Sequence, residues 1–386
     1  MRNFASIVDE NTLAQARDVE RIPIVYPEVA LMPDAHFGYG CPIGAVVPTR
    51  GGVIPAAVGV DIACGMDAIP LNTSGGQKRA LKANAKNILA QMARTIPVSA
   101  GKYHAKPALE RVLGSARAQE FSAVLEPAAK RLGLDDLSPN WRNQLGTLGG
   151  GNHFLEVSED EESTIWVVVH SGSRGVGNKI GREAIALAKR THPEAGNNAW
   201  LDQGTKDYRR YIDTVSWCET FASASRLVMA ELAREAIALR VPGVTFDYGS
   251  HVSAHHNTVQ FDYSLEDGTK VDVTRKGAIR ADKGRMGIIP GSMGTDTYIV
   301  EGLGNERSYR SAPHGAGRVL SRRAAKKQYN QVDMDRLMGA RGTAYRRGFI
   351  DEIPHAYKDI TQVLEDSREL VRPIHRLHQI INLKGD

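Results

Sequence analysis

Apolar and polar positions along the chain alternate in short blocks rather than in long amphipathic runs. Thr164 to His170 (TIWVVVH) is a continuous apolar run ending in a histidine, which predicts a strand buried on both faces. Gly44 to Val60 (GAVVPTRGGVIPAAVGV) predicts strand–turn–strand, with Gly51-Gly52 as the turn. Val271–Thr274 and Thr297–Val300 are β-like. Helices are predicted over Ala80–Thr95, Ile180–Arg190, Arg322–Tyr329 and, longest of all, Asp213–Arg240. In the last, Val215, Phe221, Val228 and Leu232 form the candidate buried stripe. Leu364–Asn382 also reads as a helix, broken at Pro373. Strands and helices intermix without a βαβ rhythm, so the expected class is α+β, with mixed β-sheets packed by surrounding helices. No linker-like segment divides residues 1–386, which predicts a single large domain.

Composition changes this picture little. The chain has 386 residues and a net charge of +5. A mild basic excess is compatible with a polyanionic partner but does not select one. Its distribution says more: Glu306 to Arg347 holds eleven Lys or Arg against three acids, a cationic block that would also suit a solvated helix face. Three cysteines, Cys41, Cys64 and Cys218, argue against a disulfide framework and for a reducing compartment. No apolar run spans a bilayer and the polar N-terminus is not a secretory signal, so the expected location is the cytoplasm.

Candidate chemistry gathers in glycine-rich loops. Asp61 and Cys64 (VDIAC) follow an apolar strand, and a carboxylate and a thiolate three residues apart can reach one cation. Taken alone, a buried cysteine beside a turn aspartate explains them as well. In GTLGGGNHFLE, His153 follows a tight loop, Asn152 can donate to a phosphate, and Glu156 can accept from a base edge. His170 ends the apolar strand and opens SGSRGVG. Gly172–Ile180 nearly matches a P-loop, but Asn178-Lys179 stands where Lys-Ser/Thr is needed. It is no dinucleotide fingerprint either, because THPEAGNN supplies no second strand ending in an acid. His255-His256-Asn257 follows the long helix. His314, in PHGAGR with Arg318 four residues on, suits nucleophilic attack on a phosphoryl group. Each of these histidines could be a turn or core residue. Together, Asp61, Cys64, His153, His170 and His256 offer ligands for two transition-metal ions sharing a thiolate. By ligand type alone the metal would be zinc.

The segments MPDAHFGYGCPIGAV, PAAVGVDIACGM, LGTLGGGNHFLE, HSGSRGVGN, HHN, VTRKGAI, IIPGSMGT, GLGNE, HGAGR, DEIPHAYKDI and LKG, in this order from Met32 to Gly385, resemble the RtcB RNA ligases. The resemblance implies joining of an RNA 3′-phosphate or 2′,3′-cyclic phosphate to a 5′-hydroxyl, with GTP and two Mn²⁺ ions, through a histidine–GMP intermediate. It implies His314 as the nucleophile, Asp61, Cys64 and His153 on one metal, and Cys64, His170 and His256 on the other. Asn152 and Asn257 would touch phosphates. Glu156, Ser292, Thr297, Tyr357 and Lys384 would line the guanosine pocket, Asp34 would assist at the RNA terminus, and Arg174 and Arg318 would meet phosphates. A monomer, an activating archease partner, and a role in tRNA splicing or in repair of cleaved RNA are further expectations. The absence of a KxDG motif agrees with a histidine rather than a lysine nucleophile. Ala35 and Ala63 stand where Val and Gly are more typical, the segment before Met32 lacks the leader expected of tRNA-splicing members, and Gln77–Asn140 is compact. Two other readings use the same residues: a metal-dependent phosphoesterase that opens cyclic phosphates without joining ends, and a non-catalytic RNA-binding protein built on the cationic block.

Overall fold

The apolar run before His170 forms a strand, Ile165–Ser171, buried along its whole length in the computed structural model, which describes residues 1–99 and 101–385. It belongs to a nine-stranded sheet whose main path runs Val252–His255, Gly65–Asn72, Ile165–Ser171, Phe154–Glu159, Val371–Lys384, Thr297–Gly302, Met286–Pro290. Neighbours on this path are antiparallel wherever their pairing is resolved. A second, five-stranded sheet runs Arg2–Asn3, Ala30–His36, Ile43–Thr49, Lys270–Lys276, Asn257–Ser264. Mixed sheets with helices outside the strand order make the fold α+β, as the patterning predicts.

Register in the large sheet explains why distant residues meet. His170 pairs with Met66 on one side and Phe154 on the other, and Gly65 pairs with both Ser171 and His255. Cys64, His153, His170 and His256 therefore all fall at the same end of adjacent strands. The amide of His256 donates to the Cys64 carbonyl (2.8 Å), which locks two of these ends together.

The helix Lys206–Ala238 packs against the strands Gly65–Asn72 and Ile165–Ser171, and Val215, Phe221, Val228 and Leu232 are all buried. It starts earlier than patterning alone suggests because Thr205 caps it, accepting from the amide of Tyr208. From its inner face Arg226 reaches Asp67 Oδ2 (2.7 Å) and the Ser171 carbonyl (3.2 Å). Both members of the pair are buried. Burial alone would raise the Asp67 carboxyl; the Arg226 charge and His251 more than reverse it, holding the carboxyl well below the usual range. Arg226→Leu leaves this carboxylate short of its main partner and is expected to destabilise the protein by roughly 3–5 kcal/mol, read from the urea midpoint. A loss below 1 kcal/mol would show that His251 compensates.

Several predicted elements differ. Leu364–Asn382 is not a broken helix: a helix covers Ile360–Asp366, and Val371–Lys384 is a strand inside the large sheet. Pro373 pairs with Val300 next to a register shift, the kind of irregularity at which a sheet accepts proline. After Gly52–Val53 the second half of the expected hairpin turns into the short helix Pro55–Val58, with proline at its first position. Ala80–Thr95 is split at Asn84 into Gly75–Ala83 and Ala85–Thr95. The helix expected from Ile180 begins at Arg174, so the SRGVG glycines form its first turn. The cationic block is spread over loops and two helices, Arg322–Gln328 and Gln331–Ala340. Among the described residues no helix is long and apolar enough to cross a membrane.

Candidate metal centre and nucleotide cavity

The strand ends deliver two overlapping triads. Asp61, Cys64 and His153 form one, Cys64, His170 and His256 the other, with the ligand atoms within each triad less than 4.8 Å apart. Cys64 Sγ stands 3.4 Å from His153 Nε2 and 3.3 Å from His170 Nε2. His153 Nε2 is 2.9 Å from Asp61 Oδ2, and the Nε2 atoms of His170 and His256 are 3.0 Å apart. The loop that presents Cys64 is tight: Ala63 holds φ 57°, in the left-handed region, and its amide donates to the Asn257 carbonyl.

The donor set fits cations. Burial, reinforced by the other imidazoles, pushes His170 and His256 well below the ordinary histidine range, so both keep neutral rings with lone pairs. Burial and the Asp61 charge push the Cys64 thiol well up, so its thiolate needs a positive partner. Burial would raise Asp61 as well, but His153 and Arg174 hold it low. The outer nitrogens set the tautomers: His256 Nδ1 faces Asn257 Oδ1 (3.2 Å), and His153 Nδ1 lies 3.0 Å from both the Leu148 carbonyl and Arg174 Nη1. It can serve only one of them. Donation to Leu148 frees Nε2 for a metal, whereas acceptance from Arg174 puts the proton on Nε2, against Asp61.

His314 adjoins the second triad, its ring centroid 4.5 Å from that of His256. Its Nδ1 lies 2.7 Å from Asp34 Oδ2, off the line of a good hydrogen bond, so the contact is electrostatic first. The same oxygen accepts from the His314 amide (3.2 Å). Asp34 is wholly buried and lines neither cavity, so its place is behind the imidazole rather than at an entering ligand.

Two cavities meet at His314, which they share with Ile43 and Asn152. One, of about 300 Å³, holds Asn152, Glu156, Ser292, Arg318, Tyr357 and Lys384 in its wall, six of the residues expected to bind a nucleotide. Thr297 stands behind the wall and donates to Glu156 Oε1 (2.6 Å). Glu156 Oε2 is buried without a partner, and burial, opposed by the Thr297 and Ser158 hydroxyls, pushes the carboxyl up to about 7. The other cavity, of about 650 Å³, exposes Asp61, Cys64, His256 and Asn257. Arg174 lines neither cavity; it is half-buried, with Nη1 3.0 Å from His153 Nδ1.

Sequence reasoning passed over Glu352. This buried carboxylate is the hub of the smaller cavity, 2.9 Å from Lys384 Nζ, 2.6 Å from the Tyr357 hydroxyl and 3.3 Å from Arg318 Nη1. Its acidic pair before Ile-Pro in DEIPHAYKDI was the available signal. His36, Arg322, Gln379 and Asn382 also line that cavity.

Residues 15–385 match the family model described as tRNA-splicing ligase RtcB. The chain belongs to the RtcB family. It is 37% identical to the RNA-splicing ligase RtcB of Escherichia coli K12 over 98% of this chain and 95% of that protein. The RtcB protein of Mycobacterium tuberculosis, also named RNA-splicing ligase, is 30% identical over 96% of this chain and all of its own length. The tRNA-splicing ligase RtcB of Nanoarchaeum equitans is 28% identical over 98% and 92%. RtcB membership makes this chain a ligase.

Proposed function

We propose that this ligase joins RNA 3′-phosphate or 2′,3′-cyclic phosphate ends to 5′-hydroxyl ends, using GTP and two Mn²⁺ ions, through GMP carried on His314. The observation that supports this best is the position of His314: between the two cavities, against His256, with Asp34 at its Nδ1. Asp34 keeps the proton on Nδ1, so Nε2 presents its lone pair. Nε2 attacks the α-phosphorus of GTP; a P–N bond forms and the P–O bond to pyrophosphate breaks. An RNA 3′-phosphate oxygen then takes the GMP, breaking the P–N bond. The 5′-hydroxyl finally attacks the activated 3′-phosphorus, forming the phosphodiester and releasing GMP. A cyclic phosphate end is first opened by water to the 3′-phosphate.

Asp61, Cys64 and His153 would hold one metal and Cys64, His170 and His256 the other, and divalent manganese bound there would supply positive charge against that developing on phosphoryl oxygens. Ligand type by itself favours zinc; manganese is proposed on the resemblance to the RtcB ligases alone. In the smaller cavity the unpartnered Glu156 Oε2 accepts from the guanine N–H groups, while Arg318 and Lys384 supply positive charge. Pairing Lys384 and Arg318 with Glu352 keeps these cations fixed before nucleotide enters.

GTP labelled at the α-phosphate, incubated with the protein and Mn²⁺, is expected to give an acid-labile labelled adduct that His314→Ala lacks. No adduct on the unmodified chain overturns this function.

A further inference from the structure

The larger cavity carries features the chemistry of the triads does not use. One wall is a single face of the helix Arg174–Thr191, presenting Arg182, Ile185, Ala186 and Lys189 at helical spacing. Arg182 is exposed and has no ion-pair partner among the described residues. The rim is Tyr39, an aromatic residue 57% exposed.

Tyr39 is nonetheless tethered by hydrogen bonds at its hydroxyl and at its carbonyl. Its hydroxyl donates to Asn197 Oδ1 (2.8 Å), and Lys189 Nζ bridges the same amide oxygen (2.7 Å) and the phenol oxygen (3.2 Å). The Tyr39 carbonyl accepts from the buried Lys276 ammonium (2.7 Å), which also holds the carbonyls of Cys41 and Ala56. An aromatic ring fixed at both ends beside a cationic helix face is the arrangement that binds single-stranded nucleic acid: bases stack, phosphates meet the cations. Beyond Tyr39 lies a separate depression bearing Asp18 and Glu194, which repels a polyanion.

Building on the proposed function, we infer that this cleft receives a single-stranded RNA end, with a base near the joint stacked on Tyr39 and its flanking phosphates on Lys189 and Arg182. The RNA thus approaches His314 from the side opposite the nucleotide cavity. Unpaired bases at the end are required, because a base inside a duplex has no free face for Tyr39.

The test is fluorescence anisotropy with a labelled ten-nucleotide single-stranded RNA ending in a 3′-phosphate, in Mn²⁺ without GTP. Tyr39→Ala is expected to weaken binding about tenfold or more, and Tyr39→Trp to stay within about threefold, since stacking needs a ring rather than the hydroxyl. Lys189→Gln and Arg182→Gln are each expected to lower the slope of log K against log salt by about 0.7. These slopes remain readable even where an exchange at Tyr39 disturbs folding. Equal affinities for Tyr39→Ala and the unmodified chain overturn the stacking, and unchanged slopes overturn the phosphate contacts. A chain that forms the GMP adduct but ignores this RNA overturns the inference alone; one that does neither overturns the proposed function with it.

Discussion

Cys64→Ala is expected to remove both metal ions at once and to reduce ligation below detection. The reason is geometric: one sulfur stands 3.4 Å from His153 and 3.3 Å from His170, and it is the only ligand common to the two triads. Without it each triad keeps two side chains, too few for a site that must compete with water. His170 and His256 are neutral and buried, so they add no compensating negative charge to that of Asp61. Metal analysis after desalting from Mn²⁺ is expected to fall from two ions per chain to none, while the melting temperature of the metal-free protein changes little because alanine fits a buried cysteine's space. Cys218→Ala is the matched control. That thiol is also buried and pushed up to about 12, but it lies toward Ser173, outside both triads. Retention of one ion in Cys64→Ala would assign the sulfur to a single triad; retention of two would remove it from the centre.

How the ligands come together was only half legible in the chain. The strand TIWVVVH could be read because a seven-residue apolar run ending in a histidine has few other uses, and the glycine-rich loops marked where side chains would be freed from packing. Neither signal says that the Cys64, His153, His170 and His256 strand ends are neighbours. That follows from register: Gly65 pairs with Ser171 and with His255, both far along the chain, and only the pairing of Phe154 with His170 is local. The C-terminal segment shows the opposite failure. VRPIHRLHQIINLK mixes apolar and long polar residues at spacings compatible with either period, and a proline usually argues against a sheet interior. The register shift opposite Pro373 accommodates the proline against Thr297–Gly302, and a separate shift between Gln379 and Ile381, against Phe154–Glu159, precedes the pairing that sets Lys384 beside Phe154 and in the wall of the smaller cavity. Arg174 and Thr297 were legible as site residues but not in their placement: each stands one layer back, behind His153 and Glu156 respectively. A motif gives residue identity; whether a side chain meets ligand or supports one that does is decided by packing.

Asp34 is the residue where that distinction has the largest consequence. Asp34→Asn keeps the shape of the side chain but replaces one carboxylate oxygen by an N–H donor. With the amide nitrogen toward His314, the imidazole must accept at Nδ1 and carry its proton on Nε2, which removes the attacking lone pair. With the amide oxygen toward it, the tautomer survives but the charge that stabilises the imidazole during attack is gone. Burial leaves no water to substitute, since Asp34 is inaccessible and its neighbours are fixed: Lys358 Nζ holds the carbonyls of Pro33 and Ala35 at 2.9 Å each, and a side chain at Gly317 would strike the Asp34 carbonyl. The expected result is a fall of about 10²–10⁴ in the single-turnover rate of GMP adduct formation, the range for losing a group that sets a catalytic proton. Two other readouts separate positioning from collapse. Bound metal stays at two ions, because Asp34 touches neither triad, and nucleotide affinity stays within about threefold, because it lines neither cavity. A rate within threefold of the unmodified protein would mean that His314 finds its reactive tautomer without Asp34. Loss of metal together with rate would mean instead that the carboxylate holds the centre as a whole.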